Sequence, residues 1–236
     1  MRIESQPAYV LHTRNYRDTS LLVEFLTFGY GRVSAVVKGV RSSGKTAKLR
    51  RSLMQPFIPL LISWTGKTDL KTIIQFESCS APLALVGPRL FSAIYVNELL
   101  TRLLQHYDNN PELYSLYQCA LQGLLQEELI DVVLRRFELQ LLDDLGYGID
   151  LTVELDTERP IEADKFYLFE SGQGFCLANN TSNAMGNSQL FSGEDLLAIA
   201  RGDFCPQVRR AAKRLCRQAL AVHLGNKPLK SRELFG

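Results

Sequence analysis

The chain has 236 residues, 46% of them hydrophobic, and a formal net charge of +2 at pH 7. This length accommodates one large domain or two small ones, and the sequence has neither a run of 18 apolar residues nor a charged segment followed by an apolar leader, so we expect no membrane span and no export signal. The five cysteines lie more than ten positions apart, which favours neither a disulfide framework nor a C-x-x-C zinc site, and we expect reduced thiols in a cytoplasmic protein.

The small net charge conceals a strong segregation of charge along the chain. Residues 1–80 carry 12 Lys or Arg against 5 Asp or Glu, whereas residues 81–200 carry 6 against 18. Residues 201–236 carry 9 against 2. Both ends are therefore expected to attract polyanions, and the middle to repel them.

The first eighty residues contain five short runs rich in β-branched and aromatic side chains, at 8–14, 20–28, 31–38, 57–64 and 70–77. Tight connections between these runs are supplied by glycine-containing turns. Five short strands in this length predict a small closed barrel of the OB-fold type, spanning residues 1–80. Pro59 lies inside the fourth run and indicates an edge or bulged position there.

Between the third and fourth runs lies KGVRSSGKTAKLRR, residues 38–51, with six Lys or Arg and no acid. Gly39 to Thr46 also spells G-x-x-x-x-G-K-T, which is typical of a P-loop NTPase that would use Lys45 and Thr46. A P-loop needs a buried parallel strand before it and a substantial helix after it, but the preceding run alternates and Pro56 limits any helix. We therefore favour a basic loop that contacts successive phosphates of a nucleic-acid backbone, with the NTPase as the alternative.

From about residue 88 the hydrophobic period becomes helical. Phe91, Ile94, Tyr95, Leu99 and Leu103 recur at helical spacing, and further helices are predicted at roughly 111–126 and at 130–145, where Gly146 is a plausible C-cap. A hairpin is predicted at 167–178, followed by a polar loop at 179–188. The whole is an α+β, multi-domain fold: the barrel, then a mainly helical domain at 81–236 with a hairpin and loop region at 147–187 and a basic C-terminal segment at 201–236.

The segment 206–224 predicts an amphipathic helix. One stripe holds Val208, Ala212, Leu215, Ala219 and Val222, and the opposite face holds five cations. The predicted DNA-binding residues combine this face with the basic end of the barrel. They are Arg14, Arg17, Arg32, Lys38, Arg41, Lys45, Lys48, Arg50, Arg51, Arg209, Arg210, Lys213, Arg214 and Arg217.

Arg135 and Arg136 stand alone in an otherwise acidic stretch of the helix at 130–145. Either they pair within the protein, for instance Arg136 with Gln140 and the Asp143 and Asp144 pair, or they anchor a short acidic peptide with apolar ends. The three histidines His12, His106 and His223 have no Ser, Cys or carboxylate at motif spacing, so no catalytic residue and no metal ligand is predicted.

The chain resembles the bacterial RecO family of recombination mediators over nearly its whole length. The resemblance is carried by stretches such as GRVSAVVKGVRS (31–42), LRRFELQLLDDLGYGI (134–149), RAAKRLCR (210–217) and KPLKSREL (227–234). It implies an N-terminal OB-fold, a helical second domain and no enzymatic activity. It also implies binding of single- and double-stranded DNA, annealing of complementary strands, and cooperation with RecR to load RecA onto DNA coated by SSB.

The resemblance further implies that the acidic, Phe-terminated tail of SSB binds the helical domain through the arginine pair of LRRFE, which is Arg135 with Arg136 beside it. Some members carry a C-x-x-C zinc site in the second domain, but here the corresponding hairpin has only Cys176, so neither zinc nor any other cofactor is expected. The G-x-x-x-x-G-K-T spelling is not a feature of the family. A monomer in the cytoplasm, associated with the nucleoid and not with a membrane, is the expected state.

Overall fold

The structure is a computed structural model that describes residues 2–126, 129–178 and 189–235. It divides into two compact units. The first consists of Met1–Glu127 together with Leu229–Gly236, and the second of Glu128–Pro228. The sequence division at residue 80 stays a prediction, but two helices that follow the barrel in sequence belong to the same compact unit as the barrel.

The first unit is built on a closed five-stranded barrel, as predicted. Its strands are β1 (Arg2–Tyr16), β2 (Ser20–Thr27), β3 (Gly31–Val37), β4 (Leu60–Thr65) and β5 (Lys71–Ser78), in the order β1-β2-β3-β5-β4. Helix α1 (Lys45–Ser52) lies between β3 and β4 in the chain. The fourth strand begins after Pro59 and not at residue 57 as predicted, because Phe57 has a φ of 67°, which is incompatible with extended backbone.

The barrel core is formed by the inward side chains of alternating strand positions. Val33, Ala35 and Val37 are fully buried, and Arg32 and Ser34 between them face outward, which confirms the predicted alternation. The pairing of β3 with β5 covers only Ala35 with Lys71 and Val36 with Thr72. The barrel is therefore closed by a short parallel contact.

The two longest described helices of the first unit are α2 (Gly87–Leu103) and α3 (Pro111–Leu125). Asn97 of α2 donates from Nδ2 to the carbonyl of Leu11 at 3.1 Å, and Tyr117 of α3 donates its hydroxyl to Asn97 Oδ1 at 2.8 Å. The linker between the helices runs along the start of β3, where the Tyr107 N–H donates to the Arg32 carbonyl at 2.9 Å. Gly31 is required here, because a Cβ would collide with the carbonyl of Asp108.

The second unit contains α4 (Ile130–Asp144), a sheet of β6 (Phe166–Glu170), β7 (Gly174–Leu177) and β8 (Leu190–Ser192), and then α5 (Gly193–Arg201) and α6 (Pro206–Leu224). The hairpin of β6 and β7 is confirmed, but β8 makes the sheet three-stranded in the order β7-β6-β8. Gly146 ends α4 with a φ of 79°, as its predicted C-cap role requires. The predicted polar loop at 179–188 lies outside the described residues.

The chain end returns to the first unit. A 3-10 helix at Lys230–Phe235 docks on α2, where the Glu98 carboxylate accepts from the N–H of Lys230 at 2.9 Å, the N–H of Ser231 at 2.8 Å and the Ser231 hydroxyl at 2.6 Å. Burial raises the pKa of Glu98, but these hydrogen bonds outweigh burial and the pKa lies below its usual value. None of the described helices has the length and hydropathy needed to cross a bilayer.

Candidate nucleic-acid interface

The basic segment 38–51 presents most of its cations to solvent. Helix α1 buries only Ala47, so most of its circumference is exposed. The cations that are exposed are Lys38, Lys45, Lys48 and Arg51. The other two are partly buried: Arg41 donates from Nη1 to the Arg17 carbonyl at 2.9 Å, and the Arg50 guanidinium lies 4.9 Å from the centre of the Phe76 ring. Arg14 and Arg17, at the end of β1 and in the following turn, are also exposed.

Arg32, in the predicted DNA-binding set, is turned toward the protein. Its Nε donates to Glu24 Oε2 at 2.9 Å, with 14% and 13% of the two side chains exposed. Its Nη1 donates to the carbonyls of Thr101 and Leu104 at the end of α2. Arg32 therefore links β3 to α2, and its guanidinium is largely unavailable to a phosphate.

Helix α6 confirms the amphipathic prediction with three exceptions. Val222 was expected in the buried stripe but is 53% exposed, because it lies in the last turn beyond the packed part of the helix. On the basic face, Arg210, Lys213 and Arg217 are exposed. Arg214 instead donates from Nη2 to the Leu190 carbonyl at 2.7 Å and lies 4.3 Å from the centre of the Phe191 ring. Arg209 is partly buried.

The G-x-x-x-x-G-K-T stretch spans the connection between β3 and α1 and the first two residues of α1. β3 pairs antiparallel with β2 along its length and parallel with β5 at only two positions, and α1 has only eight residues. A P-loop joins a parallel strand to a longer helix whose N-terminus holds phosphates. The local structure is a barrel connection followed by a short helix, and it does not support the NTPase alternative.

Sequence reasoning missed a polar cluster on the outer face of the barrel. The Ser34 hydroxyl donates to Glu24 Oε1 at 2.6 Å, and His106 Nε2 lies 2.9 Å from Ser34 Oγ and 3.2 Å from Glu24 Oε2. Burial raises the pKa of Glu24, but the hydrogen bonds from Ser34 and Arg32 and the charge of Arg32 bring it below its usual value. His106 is 72 residues from Ser34 in sequence, so no spacing motif could have revealed this contact.

This cluster does not have the geometry of a hydrolase triad. In a triad, one imidazole nitrogen receives the nucleophile's proton while the other is held by the acid. Here the serine and the carboxylate both meet the same nitrogen, Nε2, and the serine proton is directed to the carboxylate. The arrangement is a hydrogen-bonded network that fixes its members, and it provides no base for Ser34.

In the second unit, the two adjacent arginines of α4 have different environments. Arg135 is 4% exposed and donates from Nη2 to Glu138 Oε1 at 2.8 Å. Its Nε and Nη1 are buried and meet no acceptor within the described part of the chain. Burial and then the Glu138 charge raise the pKa of the Cys216 thiol, which lies in the same buried cluster. Arg135 therefore pairs within the protein, as the first of the two alternatives expected, and its partner is Glu138.

Arg136 is exposed and lies at the edge of a cleft of about 320 Å³. The apolar part of the lining is formed by Leu139, Leu142, Ile149, Leu151 and Ile199. Asp143 and Gln140 also line it, and Gln140 donates to Asp144 at 2.8 Å. A cation beside an apolar cleft suits a ligand that combines a carboxylate with an apolar side chain.

Two family models together match nearly the whole chain. Residues 1–82 match the N-terminal region of recombination protein O, and residues 86–233 match its C-terminal region. The chain belongs to the RecO family. The RecO barrel and the helices that follow it are thus the fold that the sequence resemblance implied.

Relatives agree with this assignment over their full length. The DNA repair protein RecO of Tolumonas auensis is 45% identical over 231 residues, which is 97% of this chain and 93% of the relative. The protein of the same name from Cellvibrio japonicus is 43% identical over 100% of this chain and 98% of its own length. That of Haemophilus influenzae strain Rd is 42% identical, covering 100% and 97%.

Cys176 lies on β7 of the predicted hairpin, close to acidic side chains. Its thiol lies 3.4 Å from Asp156 Oδ2, and burial and that hydrogen bond raise its pKa to about 11. Among the residues that the structure describes, no group of three or more His, Cys, Asp or Glu side chains could hold a metal ion.

Proposed function

We propose that this member of the RecO repair family is a recombination mediator that binds single- and double-stranded DNA and anneals complementary strands without covalent chemistry. With RecR, it would help to load RecA onto single-stranded DNA coated by SSB. Annealing requires the protein to screen the repulsion between two phosphate backbones while the bases remain free to pair. Sequence-independent cationic surfaces meet that requirement.

The observation that carries this proposal is the exposed row of cations on the loop and helix that follow β3. Lys38, Lys45, Lys48 and Arg51 are exposed within a segment that contains no acid. Arg14 and Arg17 extend the positive surface, and on α6 the exposed Arg210, Lys213 and Arg217 provide a second one. Such side chains contact phosphates and carry no sequence information.

The salt dependence of DNA affinity tests the proposal. If about five phosphates of a single strand are neutralised, log affinity falls with log salt at a slope near −3.5, or about a hundredfold between 50 and 200 mM salt. Affinity should be measured by fluorescence anisotropy, and annealing of two complementary oligonucleotides should be followed without nucleotide. Salt-independent binding would overturn the proposal, and annealing that needs ATP and is lost in Lys45→Ala would favour the NTPase alternative.

We also propose that the cleft beside Arg136 receives the acidic, Phe-terminated tail of SSB. The guanidinium of Arg136 would pair with the tail's terminal carboxylate, and the apolar lining would take the phenylalanine ring. Arg135 is then a positioning residue, because its ion pair with Glu138 fixes the turn of α4 that carries Arg136.

The peptide site is tested by titrating a fluorescent peptide that ends in several acids and a phenylalanine. Arg136→Ala should abolish binding, whereas Arg159→Ala, which removes an exposed cation away from the cleft, should not. DNA affinity should be nearly unchanged in both variants. Equal loss of peptide and DNA binding in Arg136→Ala would contradict separate sites.

A further inference from the structure

The turn between β1 and β2 lies beside the start of the basic segment 38–51. Leu21 at the beginning of β2 pairs with Val37 at the end of β3. Arg17 precedes the first of these strand ends, and Lys38 follows the second. Both cationic side chains are exposed. Two separate parts of the chain therefore supply cations at the same end of the barrel.

Arg41 connects this turn to the basic segment by two hydrogen bonds. Its backbone N–H donates to the Thr19 carbonyl at 2.9 Å, and its Nη1 donates to the Arg17 carbonyl at 2.9 Å. The first bond is available to any residue except proline at this position. The second bond requires a long side chain with a donor at its end, and it joins residues that are 24 positions apart in sequence.

Arg17 has a backbone conformation that needs support from its surroundings. Its φ is 49°, in the left-handed region, which residues other than glycine seldom adopt and which persists where neighbouring groups determine it. The side chain of Arg41 bonds to the carbonyl of this same residue. The backbone conformation in turn sets the direction of the Arg17 side chain, whose guanidinium lies 5.3 Å from the centre of the Tyr16 ring.

The direction of the Arg17 side chain matters because an acid follows it in the chain. Asp18 is exposed in the same turn, and its carboxylate repels a phosphate. Arg17 therefore contributes most to binding when its guanidinium is held away from Asp18. A side chain that is already ordered also loses less conformational entropy when a ligand binds.

We propose that Arg41 is a positioning residue of the DNA-binding surface, which holds the turn at 17–19 so that Arg17 and Lys38 contact the same strand. The inference rests on the DNA-binding function proposed above and adds to it a distinction between cations that contact phosphates and one that places them. The Arg41 side chain is partly buried, and its Nη1 is bonded within the protein. Its effect on DNA binding therefore passes mainly through Arg17.

The test is a double-mutant cycle between Arg17→Gln and Arg41→Met, in which the second change keeps an unbranched side chain but removes the donor. Arg17→Gln should lower the affinity for a fluorescent single strand about fivefold at 0.1 M salt, because one phosphate contact accounts for about 0.7 in the salt slope. Arg41→Met should cause a similar loss, and the double variant should bind no more weakly than either single variant. Losses that multiply to about 25-fold would overturn the proposal, since independent contacts add in free energy. Wild-type affinity in Arg41→Met would overturn it too.

Lys48→Gln is the matched control, because Lys48 is an exposed cation of the same segment that lies on α1 and not at the turn. Its loss should multiply with that of Arg41→Met. If Lys48→Gln were also without further effect in the Arg41→Met background, Arg41 would act on the whole segment, which contradicts a role through Arg17.

Amide hydrogen exchange without DNA gives a second readout. The amide at position 41, which donates to the Thr19 carbonyl, should exchange faster in Arg41→Met and at the wild-type rate in Arg17→Gln and Lys48→Gln. Unchanged exchange in Arg41→Met would mean that the side chain does not hold the turn. Failure of the wild type to bind a single strand at any salt concentration would overturn the DNA-binding function itself, whereas the other contrary results would overturn only the role of Arg41.

Discussion

The two basic segments of this protein are both rich in cations but expose different numbers of them. The segment 38–51 has six cations, of which four are exposed, and α6 has five, of which three are exposed. Most of the other cations bind within the protein: in the barrel segment Arg41 donates to a carbonyl and Arg50 lies over a ring, and on α6 the guanidinium of Arg214 does both. A count of cations in sequence therefore overstates the charge that a partner meets.

The difference follows from how much of each helix is packed. α1 buries a single residue, so a side chain at almost any position of the helix can reach solvent. α6 buries seven residues against the rest of its unit, and cations at the border of the buried stripe have protein groups within reach. Long cationic side chains pack their stems on apolar surface, and at such a border the head group finds acceptors too.

The largest expected effect on DNA affinity comes from removing the exposed cations of the barrel segment 38–51. Changing Lys38, Lys45, Lys48 and Arg51 to Gln should make the salt slope for a single strand less negative by about 2.8, because each lost phosphate contact accounts for about 0.7. Affinity at 0.1 M salt should fall by roughly 10²- to 10³-fold. The measurement is an anisotropy titration at several salt concentrations.

Its control removes exposed cations outside the predicted DNA-binding set, with Arg159, Arg201 and Lys227 changed to Gln. That variant should keep the wild-type slope. If both variants change the slope equally per charge removed, binding reflects net charge and the barrel segment has no special role.

The next largest effect concerns Arg32, whose charge is paired with Glu24 within the protein. Arg32→Gln should lower the free energy of unfolding by about 3 kcal/mol, since removing one partner of a largely buried ion pair leaves the other uncompensated. Arg14→Gln, on the exposed end of β1, should change stability by less than about 0.5 kcal/mol. Urea unfolding measures both. An Arg32 variant of unchanged stability but altered salt slope would place Arg32 among the presented charges.

Arg214 is the corresponding case on α6. Arg214→Gln should destabilise the protein by about 1–2 kcal/mol, because it loses a charge-assisted hydrogen bond to the Leu190 carbonyl and the contact with the Phe191 ring. Arg210→Gln is the matched exposed variant and should be neutral in thermal unfolding while it reduces the salt slope. If Arg210→Gln destabilised the protein and Arg214→Gln only reduced the salt slope, the assignment of Arg214 as the buried cation and Arg210 as the exposed one would be contradicted.

The sequence is sufficient to predict most of the longer elements of this fold, because alternation and helical period are local, but α1, β8, α5 and the final 3-10 helix were not predicted. The five strands, the helices α2 to α4 and the whole of α6 follow from them, and the β6–β7 hairpin follows from its glycine turn. Which cations form hydrogen bonds or ion pairs within the protein depends instead on contacts between residues that are distant in sequence. Arg32 meets carbonyls 69 and 72 residues away, and His106 meets Ser34 across 72 residues.

The burial of Arg135 was also not predicted, but for a different reason. Its partner Glu138 is only three residues away, at a spacing where helix side chains meet, so the pair was available from the sequence. What the sequence alone lacked was the burial of this face of α4. Without that information, an adjacent pair of arginines predicts two similar side chains, whereas one is enclosed and the other lines a cleft.

The smallest expected effect is in the 3-10 helix at Lys230–Phe235, whose described hydrogen bonds to α2 come from backbone N–H groups and a hydroxyl and not from cationic side chains. Lys230 contacts Glu98 through its backbone N–H, and Ser231 contacts it through both its N–H and its hydroxyl. Ser231→Ala should therefore weaken docking by about 1 kcal/mol through loss of one hydrogen bond to a charged acceptor, and Lys230→Gln should leave it unchanged. Amide hydrogen exchange at residues 229–231 reports the difference.

Lowering the pH should weaken the same contact between Glu98 and the chain end. The pKa of Glu98 is lowered from 4.5 in the folded protein, so its contribution to docking is fully present above that value and is lost as pH falls through the folded pKa. Exchange at these amides, corrected for the intrinsic effect of pH, should accelerate below about pH 4.5 in wild type and show no such transition in Glu98→Gln. If Lys230→Gln loosened the segment as much as Ser231→Ala, the chain end would be held by charge, and the contrast between presented and committed cations would not extend to it.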